Sequence, residues 1–237
     1  MLIIQSFYYA TDFSRYSEII TALKLNLLNK KIDEIHLFIT NEDHARLKED
    51  FNLRVTLPNI EKIKLIINDK QPTYFDLFNY SVSLKDKYIC ICNSDIEVKL
   101  NADNYYLLEK YLLSTNCIFF ITRNEVDGTR GLIDGFCGSH DAFIFYSDKL
   151  KLKIDLLSEL NYVQNTQGIE AILTITFIEK LRYFIYNPCF QIPLIHHHSS
   201  NLRPWKVSND CVGYTSRNKL NLNGIHNSYM IYPVILQ

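Results

Sequence analysis

Asp95 lies in the run Asn93-Ser94-Asp95-Ile96-Glu97, where an oxygen-bearing side chain recurs at every second position directly after the apolar stretch 88–92 (YICIC). Hard oxygen ligands of this kind suit magnesium or manganese. The plainer reading is a turn, since Asn, Ser and Asp favour turns, with Asp95 as its cap and Glu97 in solvent. A second cluster is His196, His197 and His198, followed by Ser199, Ser200 and Arg203. Strand alternation puts His196 and His198 on one side. Neutral imidazole is a good ligand for manganese or zinc, and next to an oxygen-rich site it tilts the choice toward manganese. Arg203 adds a fork for a phosphate oxygen. Two further carboxylates suit acid-base work. Asp141 stands at the entrance to the apolar run 142–145. Glu170 follows Gly168 at a helix start, where the dipole and free amides favour its ionised form. Helix-start preference alone also explains an acid there.

The elements that must position these groups follow from hydrophobic periodicity. Residues 2–8 (LIIQSFY) read as a buried first strand, 15–28 as a helix, and 35–39 (IHLFI) as a second strand. This βαβ unit favours a parallel sheet. Residues 41–50 should form a short polar helix and 62–67 (KIKLII) a strand. Pro72 and Thr73 then open a helix to about Ser83, with Thr73 as its N-cap. Strand 88–92 leads straight into the Asn93 to Glu97 run, and polar residues at a strand's C-terminal end mark ligand sites in α/β sheets. Residues 100–113 are helical by period, 117–122 and 142–146 are strands, and 169–181 is an amphipathic helix. A strand over 183–186 and an extended run over 191–196 complete the body. Between them, 124–138 is a long polar loop carrying four glycines, a candidate lid or acceptor loop.

Composition removes several classes of function. With 237 residues, 47% hydrophobic, and 25 Lys plus Arg against 26 Asp plus Glu, the chain is globular and nearly neutral, so it has no field for nucleic acid. No apolar run approaches the roughly 20 residues that span a bilayer. Residues 1–9 lack the basic start and cleavage-like end of a signal peptide, so the expected location is cytoplasmic. All 7 glycines fall at or after Gly128, which rules out a glycine-rich phosphate loop in the first half. The 6 cysteines contain no CxxC pair and read as buried free thiols.

Many weak motifs stand in one order: Gln5-Ser6-Phe7-Tyr8-Tyr9, the helix from Arg15 through Asn26, residues 35–38, Thr73-Tyr74-Phe75-Asp76, Asn93-Ser94-Asp95-Ile96, Ser139-His140-Asp141, Gly168-Ile169-Glu170, Asn187-Pro188, and His196-x-His198 with Arg203. That order resembles small GT-A-type glycosyltransferases, which occur in large DNA viruses and bacterial surface-glycan pathways. For a virus-encoded protein the expected setting is the host cytoplasm. The resemblance covers residues 2–205.

What the resemblance implies is specific. The fold would be α/β, a single GT-A-like, mixed and mostly parallel sheet flanked by helices over 1–205, with 206–237 as a tail packed on it. The activity would be transfer of a hexose from a nucleotide-diphosphate sugar, UDP-linked by preference, to a hydroxyl of a glycan or other acceptor. Asn93-Ser94-Asp95 stands where such enzymes carry a DxD motif, with Asn93 replacing its first acid. Asp95, His198 and, second, His196 would hold Mn2+ or Mg2+. Ser6, Tyr8, Thr73, Asn93, Ser94, Asp95 and Arg203 would bind the donor, and Glu170 or Asp141 would take the hydroxyl proton in an inverting displacement. Early glycine is then unnecessary, because a cation can neutralise the diphosphate. The alternatives are a metal-dependent phosphohydrolase or nucleotidyltransferase using the same acids and histidines, and a non-catalytic nucleotide- or glycan-binding module on the same fold.

Overall fold

A computed structural model describes residues 1–49, 57–126, 140–151, 154–157, 160–164, 166, 169–200, 231 and 233–237. Arg203, residues 127–138 of the expected polar loop, and all seven glycines lie outside the described residues.

In chain order the elements are β1 (Leu2–Ser6), α1 (Phe13–Leu28), β2 (Glu34–Thr40), α2 (Asn41–Glu49), β3 (Ile63–Asn68), α3 (Tyr74–Ser83), β4 (Tyr88–Cys92), β5 (Ile96–Val98), α4 (Ala102–Leu108), β6 (Cys117–Ile121), β7 (Asn124–Glu125), β8 (Ala142–Tyr146), α5 (Ser147–Lys151), α6 (Ile169–Ile175), β9 (Phe184–Tyr186) and β10 (Leu194–His196). Seven strands form one sheet in the order β3-β2-β1-β4-β8-β6-β9. β1 is parallel to β2 and β4, β2 to β3, and β6 to β9, while β8 runs antiparallel to both β4 and β6. This is the mixed, mostly parallel sheet that the sequence implies.

β1 lies inside the sheet with both faces covered, which is why it reads as a continuous apolar run. Its alternation divides the core. Ile3 and Phe7 pack on one face with Ile19, Leu23 and Leu27 of α1 and with Leu108 of α4. Leu2 and Ile4 pack on the other with Leu77 and Phe78 of α3 and Leu173 of α6. Cys90 and Cys92, two apart on β4, share the first face and are free and buried. Cys117 and Cys189 are free and buried as well.

Local chemistry fixes the helix starts. Asp12 caps α1 by accepting the Arg15 N–H at 2.9 Å. Thr73 caps α3 in a reciprocal box with Asp76. The helical spans 100–113 and 169–181 both end in a wider π-helical turn, over Glu109–Leu113 and Thr176–Lys180.

A second sheet, β5-β10-β7, is the feature that periodicity misses. Its strands have two or three residues, too short for alternation to register. Residues 191 and 192 turn back on Pro188, so the extended run starts later than expected, at Leu194. β10 pairs antiparallel with β5, His196 opposite Ile96, and parallel with β7, His196 opposite Glu125. Asn26 of α1 supplies the neighbour that the outer edge of β5 lacks: its Nδ2 donates to the Ile96 carbonyl at 2.8 Å and its Oδ1 accepts the Val98 N–H at 2.9 Å.

The end of the chain packs on the body. Leu236 is buried, Gln191 bonds both backbone groups of Leu236, and the Val234 N–H donates to the Asn187 carbonyl. Among the described residues no helix is long and apolar enough to cross a membrane.

Asn26→Ala strands two backbone groups that the fold buries beside Asp95. It should cost about 2–4 kcal/mol of unfolding free energy, seen as a lower urea midpoint at unchanged m-value. The exposed-site control Thr21→Ala should stay within about 0.5 kcal/mol. Equal midpoints for the two variants would show that the amide bridge contributes nothing.

Candidate active site

The parallel strands β1, β2 and β4 deliver their C-terminal ends to one edge. The chain leaves β1 toward β2 on one side, and β4 lies on the other. The crevice between β1 and β4 is where strand order reverses, which is where α/β sheets bind ligands. Gln164 spans it: its Oε1 accepts the Ser6 N–H at 3.1 Å and its Nε2 donates to the Cys92 carbonyl at 3.2 Å.

Asp95 lies three residues beyond β4 and is 4% exposed. Its Oδ2 accepts from Arg15 Nη2 at 2.8 Å and from His196 Nε2 at 3.0 Å. Arg15 comes from the first turn of α1. Its Nε donates to the Tyr8 hydroxyl at 2.8 Å and its Nη1 to Glu18 Oε2 at 2.9 Å, and Nη1 also lies 2.8 Å from His198 Nδ1. Glu18 accepts the Ser200 N–H at 2.6 Å, together with the N–H of Ser199, so α1 pins the segment that follows His198. His196 and His198 stack with ring centroids 5.0 Å apart, on one side of the strand as alternation requires.

A second arm continues from His196. Its Nδ1 meets Glu125 Oε2 at 2.8 Å, Glu125 Oε1 accepts from Arg123 Nε at 3.0 Å, and Arg123 Nη1 donates to Asp141 Oδ1 at 2.7 Å. Asn93 Nδ2 donates to the same Asp141 oxygen at 3.1 Å. Asn93 and Asp141, far apart in sequence, therefore meet where β4 ends and β8 begins. Ser94 is buried in the turn between Asn93 and Asp95.

Burial by itself raises a carboxylate pKa. At Asp95 the His196 hydrogen bond and the His196 and Arg15 charges outweigh it and hold the acid well below the usual range. Burial likewise opposes ionisation of Glu18 and Glu125. Arg15 and the Ser200 and Ser199 amides pull the first down, and His196 with Arg123 the second. For His196, burial lowers the pKa but the bond to Asp95 raises it above its ordinary value. Both its nitrogens face oxygens that only accept, and the imidazolium satisfies both.

Several expectations change. Glu97 is buried, not solvated, and pairs with His197 Nε2 at 3.1 Å and with Lys99, away from Asp95. The Thr73 hydroxyl is taken up by Asp76 at 2.8 Å. Glu170 is not kept ionised by its helix start. Burial, with repulsion from Asp141 behind it, pushes its carboxyl up to about 7 against the helping amide and Arg123. The short first turn of α6 does not offset desolvation. Arg15, Glu18, Arg123, Glu125 and Gln164 were not among the expected site residues. Only Arg123 and Glu125 carried a signal, as charged groups just beyond the end of β6; Arg15 and Glu18 on α1, and Gln164 far from any strand end, carried none.

Asp95, His196 and His198 each offer one ligand atom, and the three atoms lie within 4.8 Å of one another. One carboxylate with two imidazoles fits a divalent ion of the manganese or zinc kind, His196 giving up a proton to bind it.

No protein-family model and no curated protein sequence matches the chain. Solved structures do. A mannosyltransferase, PcManGT, from Pyrobaculum calidifontis, in complex with GDP-Man and Mn2+, matches at TM-score 0.48 and 11% identity over 85% of this chain and 58% of that one. The glycosyltransferase GlyE of Streptococcus pneumoniae matches at 0.45 and 17% over 100% of this chain and 65% of that one. The 4-diphosphocytidyl-2C-methyl-D-erythritol synthase of Anaerococcus prevotii matches at 0.48 and 11% over 92% and 95%. The chain spans under two thirds of the length of the two glycosyltransferases.

Because its folded-state pKa is raised, Glu170 holds a proton that the unfolded chain releases near 4.5. Its contribution to stability is present below about 4.5 and is lost as pH rises to about 7. The stability of the wild type relative to Glu170→Gln should fall across that window in urea unfolding at stepped pH. Parallel profiles would contradict a half-buried, proton-holding Glu170.

Proposed function

We propose that this chain is a glycosyltransferase that takes a hexose from a nucleotide-diphosphate sugar, with a UDP-linked donor as first choice, and moves it to a hydroxyl of a glycan or other acceptor. The observation that carries the reading is the position of Asp95: a buried, ionised carboxylate just beyond the end of β4, with Asn93 hydrogen-bonded to Asp141 where β4 ends and β8 begins. Ser6, Tyr8, Thr73, Asn93, Ser94, Asp95 and Arg203 are the donor-side residues of this proposal. The first six lie on or next to β1, α3 and the turn after β4, which supports a nucleoside along β1 and a diphosphate toward Asp95.

Asp95, His196 and His198 would hold the manganese or magnesium ion, whose charge offsets that of the departing diphosphate. The remaining chemistry belongs to the chain. The acceptor oxygen bonds to the anomeric carbon as the bond from that carbon to the diphosphate oxygen breaks, and the hydroxyl proton passes to a carboxylate. Glu170, with its pKa near 7, has both an empty proton site and useful basicity at neutral pH. Asp141 is held in place by Arg123 and Asn93, which suits orienting the acceptor or sharing the proton. With one of these carboxylates as base, the proposed displacement is a single step with inversion.

A thermal-shift panel of UDP, GDP, CDP and dTDP, each with manganese, magnesium or chelator, tests the reading first. One nucleoside diphosphate should raise the melting temperature, since a ligand bound only by the native state stabilises it. Asp95→Ala should remove that shift and the transfer. No shift with any nucleotide would overturn the reading. With the matching donor, kcat/KM should climb as pH rises through about 7 and then level. Glu170→Gln should lose about 100-fold or more in kcat while keeping donor affinity. An unchanged rate would remove Glu170 as the base.

A further inference from the structure

The three candidate metal ligands are not waiting in an open bowl. A guanidinium stands among them. Arg15 Nη2 is 2.8 Å from the Asp95 oxygen, and Nη1 is 2.8 Å from His198 Nδ1. These are two of the three residues that could hold the ion, and the guanidinium bridges them through its two terminal nitrogens. Arg15 is not loosely held: Tyr8 accepts from its Nε and Glu18 from its Nη1. Both partners come from the same end of the sheet, and the Arg15 side chain is 10% exposed. Its charge cannot be removed by deprotonation at any ordinary pH.

His198 Nδ1 has a single lone pair, so it cannot accept from the guanidinium and bind a divalent ion at once, and an ion on Asp95 would sit close to the Arg15 charge. Coulomb repulsion at such separations adds to the conflict. We infer that Arg15 is a built-in cation competing with the divalent ion for Asp95 and His198, so that the metal enters this site only when the guanidinium leaves it. The inference deepens the reading of Asp95 and His198 as metal ligands and rests on it. It gives Arg15 two consequences. In the metal-free chain it keeps the buried Asp95 charge paired, and it sets the metal affinity of the site low.

The test uses the full-length chain and Mn2+ alone, followed by the loss of the free-ion electron paramagnetic resonance signal. Arg15→Met removes the charge at similar bulk and should bind Mn2+ about 10- to 100-fold more tightly than the wild type. Adding Asp95→Asn to that variant should abolish the gain, which ties the ion to this site rather than to surface acids. Arg15→Lys, which keeps a cation, should stay at wild-type affinity. Circular dichroism checks folding, and Arg15→Gln, able to donate to Tyr8 without charge, replaces the Met variant should it fail to fold. An uncharged variant that binds Mn2+ no better than the wild type overturns the inference, as does a gain that survives Asp95→Asn. Binding of a nucleoside diphosphate in chelator bears only on the glycosyltransferase reading, so the two can fail separately.

Discussion

A carboxylate buried at the end of a parallel sheet must be neutralised, paired or protonated, and Asp95 is paired. Much of the architecture near it follows. α1 has to begin close to the end of β1 so that Arg15 reaches the oxygen. β10 has to return beside β5, opposite Ile96, so that His196 reaches it from the other side. Once His196 bonds Asp95 through Nε2, its Nδ1 proton needs an acceptor, and Glu125 on β7 provides one. Glu125 then needs a cation, which is Arg123, and Arg123 reaches on to Asp141. Each member is there because the previous one would otherwise be an uncompensated buried charge. Removing one partner of such a pair typically costs about 3–5 kcal/mol.

Amides perform the matching task for the backbone. Where the small sheet and the crevice interrupt regular ladders, Asn26 pairs with β5, Asn29 takes the Val98 and Leu100 carbonyls, and Gln164 links β1 to β4. Asn187 joins Thr122 to the Ile231 carbonyl, which ties the chain's end to the strand leading into Arg123. Each amide offers a donor and an acceptor at a spacing that mimics a peptide unit. These side chains therefore set the spacing of the strand ends that carry Asp95, Arg123 and His196.

The large sheet was legible because buried strands and amphipathic helices impose period two and period 3.6 on apolar residues, and residues 2–8, 35–39, 88–92 and 142–146 carry that signal over enough positions. Thr73 was legible as a cap because capping is local. β5 and β7 were not, since two or three residues hold no period, and their existence depends on β10 returning from about a hundred positions away. The same non-locality hid Arg15, Glu18, Arg123 and Glu125. An arginine in a helix's first turn reads as a surface residue until the fold brings a buried acid against it. Glu170 was misjudged in the opposite direction. The helix-start rule is local and weak, worth well under the desolvation of a carboxyl that tertiary packing encloses.

The fold drives the pKa values of two of these acids apart. Asp95 is surrounded by cations and donors and keeps its charge through any physiological change of pH. Glu170 stands where burial and a neighbouring carboxylate disfavour charge, and it titrates near neutrality. Arg123 belongs to both environments, because it binds Asp141 and its field also reaches Glu170. In the proposed reaction such a pair would divide labour, one carboxylate holding fixed charge and the other handling protons. In this molecule the division is made by where the cations are anchored. Arg15 and His196 are locked on the Asp95 side by Tyr8, Glu18 and Glu125. The guanidinium nearest Glu170 has its Nε and Nη1 already committed to Glu125 and Asp141. Desolvation therefore outweighs the partial compensation Glu170 receives, and its pKa rises to about 7.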